Sequence, residues 1–251
     1  MTPDSPLHSF YSLRQQRLAG ATKAFRARGA ALKRCETCLL GLDTCICNWI
    51  PRYHCDAEFI LLLHNNEVYK PTNTGRLIGD CFPNNSHCFL WSRTQPDVDL
   101  LQLLTRPGYT NYIVYPWENE KTNNQDTPDL KKDVVQALVN DGTKPCFILL
   151  DGTWKQAGRM VKLSRWLDAY ACLHFSEEGR NYAVRKSHLE HCLSTAEAAA
   201  ICLRMADEVK ASEVLVDYFT VFNQHYLATR RVKMPAHGES HMRLAALRNQ
   251  N

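Results

Sequence analysis

Phe147-Ile148-Leu149-Leu150-Asp151-Gly152-Thr153-Trp154 is the stretch on which the reading of this chain turns. Four apolar residues in succession suit a strand buried on both faces, as in a parallel sheet covered by helices. The run stops at an acid, a glycine, a hydroxyl and an indole, and helical spacing resumes over 155–167 through Ala157, Met160, Val161 and Ser164. A strand that turns directly into a helix is the repeating unit of an α/β fold. In such sheets ligands bind beyond the carboxyl ends of the strands, which is where Asp151 stands. Two readings of this turn stay open. Asp151 or Thr153 caps the helix while Gly152 permits a tight turn, or the carboxylate takes a proton from a bound substrate.

Similar β-rich runs at 59–64, 87–91, 111–115 and 169–175 bring the candidate strands to five. Between them, 97–105 (Val98, Leu101, Leu104) and 129–139 (Leu130, Val134, Leu138) carry one apolar face each and read as crossover helices. Ser194-Thr195-Ala196-Glu197 opens a long helical tract with a capping-box pattern. A break is expected near 210–212, followed by an apolar face of Leu215, Tyr218, Phe219 and Phe222. The first 30 residues lean helical, with Gly20 as a weak point. Neither a Walker loop nor a GxGxxG follows any strand, so the usual phosphate cradles of ATP and nicotinamide cofactors are missing. The loop 64–76 is instead dense in hydrogen-bonding groups. Thr72 or Asn73 would cap the helix begun by Arg76, which leaves Glu67, Lys70 and Arg76 itself unassigned.

With 251 residues, 45% of them apolar, the chain has ample material for a core, and a disordered tail protein is excluded. The longest apolar stretches, 59–63 and 198–203, fall far short of the roughly 20 residues a membrane helix needs. The polar, proline-containing residues 1–11 lack the apolar centre of a signal peptide, so a cytoplasmic location is expected, with no membrane association. The net charge of +4 divides unevenly: residues 1–34 carry +6 and residues 230–251 carry +4, which leaves −6 in the middle. A basic arm suits nucleic-acid phosphates, although a solvated helix face has the same composition.

Four of the eleven cysteines are clustered as Cys35-Glu36-Thr37-Cys38 and Cys45-Ile46-Cys47. Two closely spaced pairs separated by a short turn have the spacing of a four-thiolate zinc knuckle, a closed and therefore structural site. A redox dithiol and a chance pairing are the alternatives. The other seven (Cys55, Cys81, Cys88, Cys146, Cys172, Cys192, Cys202) read as small core residues.

Leu150-Asp151-Gly152-Thr153-Trp154 resembles the signature of the DTW-domain family. Lys70-Pro71-Thr72-Asn73-Thr74-Gly75-Arg76-Leu77, Trp91-Ser92-Arg93-Thr94 and Ser194-Thr195-Ala196-Glu197 follow the order found in its bacterial members, and the four-cysteine knuckle after a basic arm is similar too. The match is loose between Arg180 and Ser194. The resemblance implies a SPOUT-like, mostly parallel α/β sheet with a trefoil knot and a small N-terminal helical and zinc-knuckle appendage. The expected organisation is a basic arm (1–34), a zinc knuckle of Cys35, Cys38, Cys45 and Cys47 (35–55), a catalytic domain (56–231) and a basic tail (232–251).

The activity implied is transfer of the 3-amino-3-carboxypropyl group of S-adenosylmethionine to N3 of a uridine in the tRNA variable loop, with methylthioadenosine released. No obligate protein partner is implied. Uridine N3 has a proton to lose in that reaction, and Asp151 is the candidate base; Thr74, Gly75, Arg76, Leu150, Thr153, Trp154, Ser194, Thr195 and Glu197 are expected toward the donor. Lys70, Arg93, Arg26 and Arg28 are expected to contact tRNA. Arg76 or Lys70 meets the donor's carboxylate and Glu67 its amine, or these groups meet RNA phosphate instead. Ser194 and Thr195 are equally well explained as a helix cap. Two alternatives stand beside this reading: a related enzyme that transfers methyl or modifies ribosomal RNA, and a non-catalytic zinc-containing RNA-binding module.

Overall fold

A computed structural model describes residues 9–22, 32–115, 142–173, 193–231 and 235–249. The expected helix at 129–139, together with Arg26, Arg28 and Cys192, lies outside the described residues. All five expected strands are present: β1 (Glu58–Leu63), β2 (Ser86–Leu90), β3 (Tyr109–Val114), β4 (Lys144–Asp151) and β5 (Ala171–Leu173). They form one sheet in the order β2-β1-β4-β3-β5, with every pairing parallel. The knot remains an expectation, since the path through 116–141 and 174–192 lies outside the described residues.

Helices cover both faces, which is why β1 is apolar from Phe59 to Leu63 and is buried at all six positions, Glu58 included. Phe59, Leu61, Leu63, Phe147 and Leu149 point to one face. There they meet α1 (Ser9–Ala19), α2 (Gly75–Cys81), α5 (Thr195–Met205) and α6 (Val209–Arg231). Ile60, Leu62, Ile148 and Leu150 point to the other, under α3 (Val98–Leu104) and α4 (Trp154–Leu163). A last helix, α7 (Glu239–Arg248), is clamped to α6 by Arg243, whose guanidinium donates to both carboxylate oxygens of Asp217.

The N-terminal helix is packed into the domain. It ends at Ala19, where Gly20 follows, and it buries Phe10 and Tyr11 in the core; the Tyr11 hydroxyl donates to Asp80 of α2 at 3.1 Å. The long helical tract breaks earlier than the expected 210–212. The chain leaves helix after Met205, and Asp207 adopts a left-handed conformation (φ 63°) before Val209 starts α6. Aspartate is one of the few non-glycine residues that tolerate this geometry, so the stop is written in a residue that periodicity does not register.

Candidate functional site

In the strand order β2-β1-β4-β3-β5, the chain leaves β1 toward one edge of the sheet and β4 toward the other. The crevice past the carboxyl ends of β1 and β4 is therefore the topological switch point, the usual place for a ligand in such sheets. Asp151 closes β4 there, and the loop 64–74 leaves β1 beside it. The pleat sets the direction of the acid: Asp151 follows Leu149 on the α2 and α5 side, whereas Leu150 packs beneath α4.

Asp151 is buried and is not the helix cap. Thr153 takes that role: its N–H and its hydroxyl donate to the Gln156 side-chain oxygen at 2.8 and 2.9 Å. The carboxylate instead receives two neutral donors, Asn73 Nδ2 at 2.7 Å and the Thr195 hydroxyl at 3.2 Å. Asn73 cannot turn over, because its Oδ1 accepts the Arg76 N–H at 3.0 Å. The Ala196 N–H donates to Thr74 Oγ1 at 3.4 Å and ties the start of α5 to the same loop. Gly75 is required by a close approach, since any Cβ there would overlap the Asp151 carboxylate. Burial pushes the Asp151 carboxyl up to about 6, and the nearby Glu67 charge adds to this, while the bonds from Asn73 and Thr195 pull the other way. Such a carboxyl is ionised at neutral pH and well suited to accept a proton.

The other expected site residues divide into groups. Thr74, Gly75 and Thr195 gather around Asp151. Lys70 pairs with the buried carboxylate of Glu67 at the edge of this crevice. Ser194 and Glu197 form the expected capping box, with the Ser194 N–H donating to Glu197 Oε2 at 2.7 Å and the Glu197 N–H to Ser194 Oγ at 3.3 Å. Arg76 is fully buried; its Nε donates to the Asn73 carbonyl at 3.1 Å and its guanidinium lies over the Phe222 ring. Arg93 and Thr153 are exposed. Trp154 is exposed on the α4 side, with its ring 6.0 Å from that of Tyr115. Asn73 is the residue that sequence reasoning undervalued. Its position before a glycine-led helix signals only a cap, and the partner that gives it a further role is 78 residues away.

The four clustered cysteines do converge. Their sulfurs lie within 4.8 Å of one another, with Cys35 and Cys47 at 3.6 Å and Cys38 and Cys45 at 3.7 Å. A tetrahedron with metal–sulfur bonds of about 2.3 Å has edges of about 3.8 Å, so the donor set fits a zinc ion. The Cys38 thiol is held down to about 5 by its Cys47 neighbour, against its burial, with help from the Ile46 and Leu40 backbone. Among the other cysteines, Cys55, Cys81, Cys88, Cys146 and Cys202 are buried as expected, and Cys172 is half-buried.

No helix among the described residues is long and apolar enough to cross a membrane. No solved structure matches the chain. A curated relative, tRNA-uridine aminocarboxypropyltransferase 2 of Macaca fascicularis, is 23% identical over 180 residues, which cover 69% of this chain and 56% of the relative. The chain thus matches little more than half the length of that protein. The family model described as "DTW domain" matches residues 32–227, from the cysteine knuckle through the sheet and into α6, and the chain belongs to the DTW domain family.

Proposed function

We propose that this protein transfers the 3-amino-3-carboxypropyl group of S-adenosylmethionine to N3 of a uridine in the tRNA variable loop. The observation that carries the reading is the buried Asp151 carboxyl at the switch point, held between two neutral donors in a chain of this family. A sulfonium carbon is already strongly electrophilic, so the enzyme's task is alignment together with removal of one proton. The uridine N3–H gives its proton to Asp151 as N3 forms a bond to the γ-carbon of the donor. The bond from that carbon to sulfur breaks, and its electron pair stays on sulfur in neutral methylthioadenosine. Asn73 and Thr195 fix the carboxylate's orientation through this step. They donate to it without neutralising it and offset only part of the effect of burial, so it stays more basic than an ordinary carboxylate.

Thr74, Gly75, Thr195 and the opening of α5 would border the donor, and Lys70 with Glu67 would meet its amino-acid end. Arg93 would lie toward tRNA, along with Arg26 and Arg28 of the basic N-terminal segment. Cys35, Cys38, Cys45 and Cys47 would hold a zinc ion whose role is structural, since four thiolates leave no position for substrate. With tRNA as substrate, the cytoplasm is the expected location.

The test is nucleoside analysis of unmodified tRNA incubated with the protein and S-adenosylmethionine. Expected are an aminocarboxypropyl-uridine and methylthioadenosine in equal amounts. Methylated uridine with S-adenosylhomocysteine would replace this reading by methyl transfer, and the absence of any product would remove it.

A further inference from the structure

The carboxyl edge of the sheet has a second side that the proposed reaction does not use. His64, Trp91 and Tyr115 are the first residues past β1, β2 and β3, and Trp154 opens α4 just beyond β4. Trp91 and Tyr115 pack on the α4 side of the sheet, away from Asp151; the His64 ring stacks on Trp91, and the Trp154 ring lies beside Tyr115. In the spatial order β2-β1-β4-β3 the rings run Trp91, His64, Trp154, Tyr115, an order invisible along the chain. Trp91 and His64 stack with centroids 6.0 Å apart and planes 19° apart, while Trp154 and Tyr115 lie at 6.0 Å and 57°. Gln156 of α4 holds the first pair through His64. Its oxygen is committed to the Thr153 N–H, so its Nε2 donates to His64 Nδ1 at 3.0 Å and fixes the imidazole as the Nε2–H tautomer. Gly158 leaves room for Tyr115, whose hydroxyl would be 3.0 Å from a Cβ at that position. Trp154 is 38% exposed, so part of its indole is open to solvent beside the Tyr115 ring.

Beside these rings, α4 carries Lys155, Arg159 and Lys162, at four- and three-residue spacing and therefore on one face, over about 10 Å. All three are exposed, the helix contains no acidic residue, and none of the three forms an ion pair among the described residues. Its opposite face, Ala157 and Met160, is buried against the sheet.

From this juxtaposition we infer that α4 and the aromatic row form a docking face for an unpaired stretch of RNA, with bases on the rings and phosphates on the cations. The inference rests on the reading of the chain as a tRNA-modifying enzyme. The cations supply charge complementarity to a polyanion, and stacking requires bases whose faces are free, which excludes a continuous duplex. The strand would then pass along the carboxyl edge of the sheet and present one nucleobase to Asp151 across it.

The test measures binding of an unmodified tRNA transcript by the full chain and by the variant Lys155→Ala, Arg159→Ala, Lys162→Ala, across a range of salt concentrations. Loss of three single-strand phosphate contacts lowers the salt slope by about 2 and weakens binding roughly 100-fold at 0.1 M salt. Calorimetric binding of S-adenosylmethionine stays unchanged and reports an intact fold. Trp154→Ala weakens RNA binding by about tenfold and Trp154→Phe recovers most of it. An unchanged affinity and slope in the triple variant would overturn the proposal, as would equal competition by a fully paired RNA. A wild-type protein that binds in the expected way yet releases no methylthioadenosine would remove the transferase reading and leave the docking face standing.

Discussion

Asp151 is a carboxylate whose burial is not balanced by a cation in hydrogen-bonding contact, and this has a consequence for stability that is separate from catalysis. Its carboxyl titrates at about 6 in the folded protein against an ordinary 3.8, so the folded state binds this proton more tightly than the unfolded one. The contribution is therefore most favourable below about pH 4, declines as the pH rises toward 6 and is lost above it, a difference of up to about 3 kcal/mol. Asparagine has the same shape, and its amide can accept from Asn73 while donating to the Thr195 hydroxyl. Asp151→Asn is expected to abolish transfer yet to melt at higher temperature than wild type at pH 8, with the gap closing by pH 4. Thermal unfolding of both proteins across that range checks it, and a variant less stable than wild type at pH 8 would contradict the picture of an uncompensated buried charge. The position of Asp151 was legible in the sequence because an apolar run ended abruptly in it. Its environment was not, because Asn73 and Thr195 reach it from 78 and 44 residues away and only the sheet order brings them together.

Elements whose residues face a single environment could be read directly. The five strands are legible as apolar or β-rich runs because helices bury both sides of the central ones. The capping box at the start of α5 is legible because both of its partners are local in sequence. The break between α5 and α6 was misplaced by several residues, since it depends on the backbone conformation of Asp207 and not on any change in periodicity. That α5 cap also supports the site, as Thr195 sits immediately after Ser194 and donates to Asp151. Ser194→Ala is expected to cost about 1 kcal/mol and to lower the melting temperature by about 2–4 °C, measured by calorimetry. It should also reduce turnover more than it reduces tRNA affinity, since the contact it loosens points at Asp151, the proposed base, and not at the exposed cations of α4.

Across the whole molecule, the charge divides unevenly into +6, −6 and +4, and the described parts of both basic ends include helices packed on the domain. Phe10 and Tyr11 anchor α1 in the core, so removing residues 1–34 would damage the fold as well as any RNA contact. The C-terminal helices are fastened to the cysteine knuckle at the opposite end of the chain. The Gly41 N–H donates to Thr229 Oγ1 at 3.4 Å, Thr44 and Thr229 share a short hydroxyl contact, and Arg248 Nη1 donates to the Asn48 carbonyl at 3.0 Å. His225 completes the seam: its Nδ1–H donates to the Thr44 carbonyl, and its Nε2 accepts from His241, whose own Nδ1 accepts the Gly238 N–H. Metal analysis is expected to find about one zinc per chain, and Cys38→Ser is expected to lose it. Because the knuckle supports this seam, the variant should also unfold at lower temperature; a metal-free wild type of undiminished stability would exclude the structural role. The seam also imposes an order on synthesis. Thr44 and Thr229 are separated by 185 residues, which take about 10 to 40 seconds to translate. The knuckle must therefore persist unsupported on the ribosome until α6 emerges, and four thiols that would close around an ion through local residues alone are the kind of element that can wait.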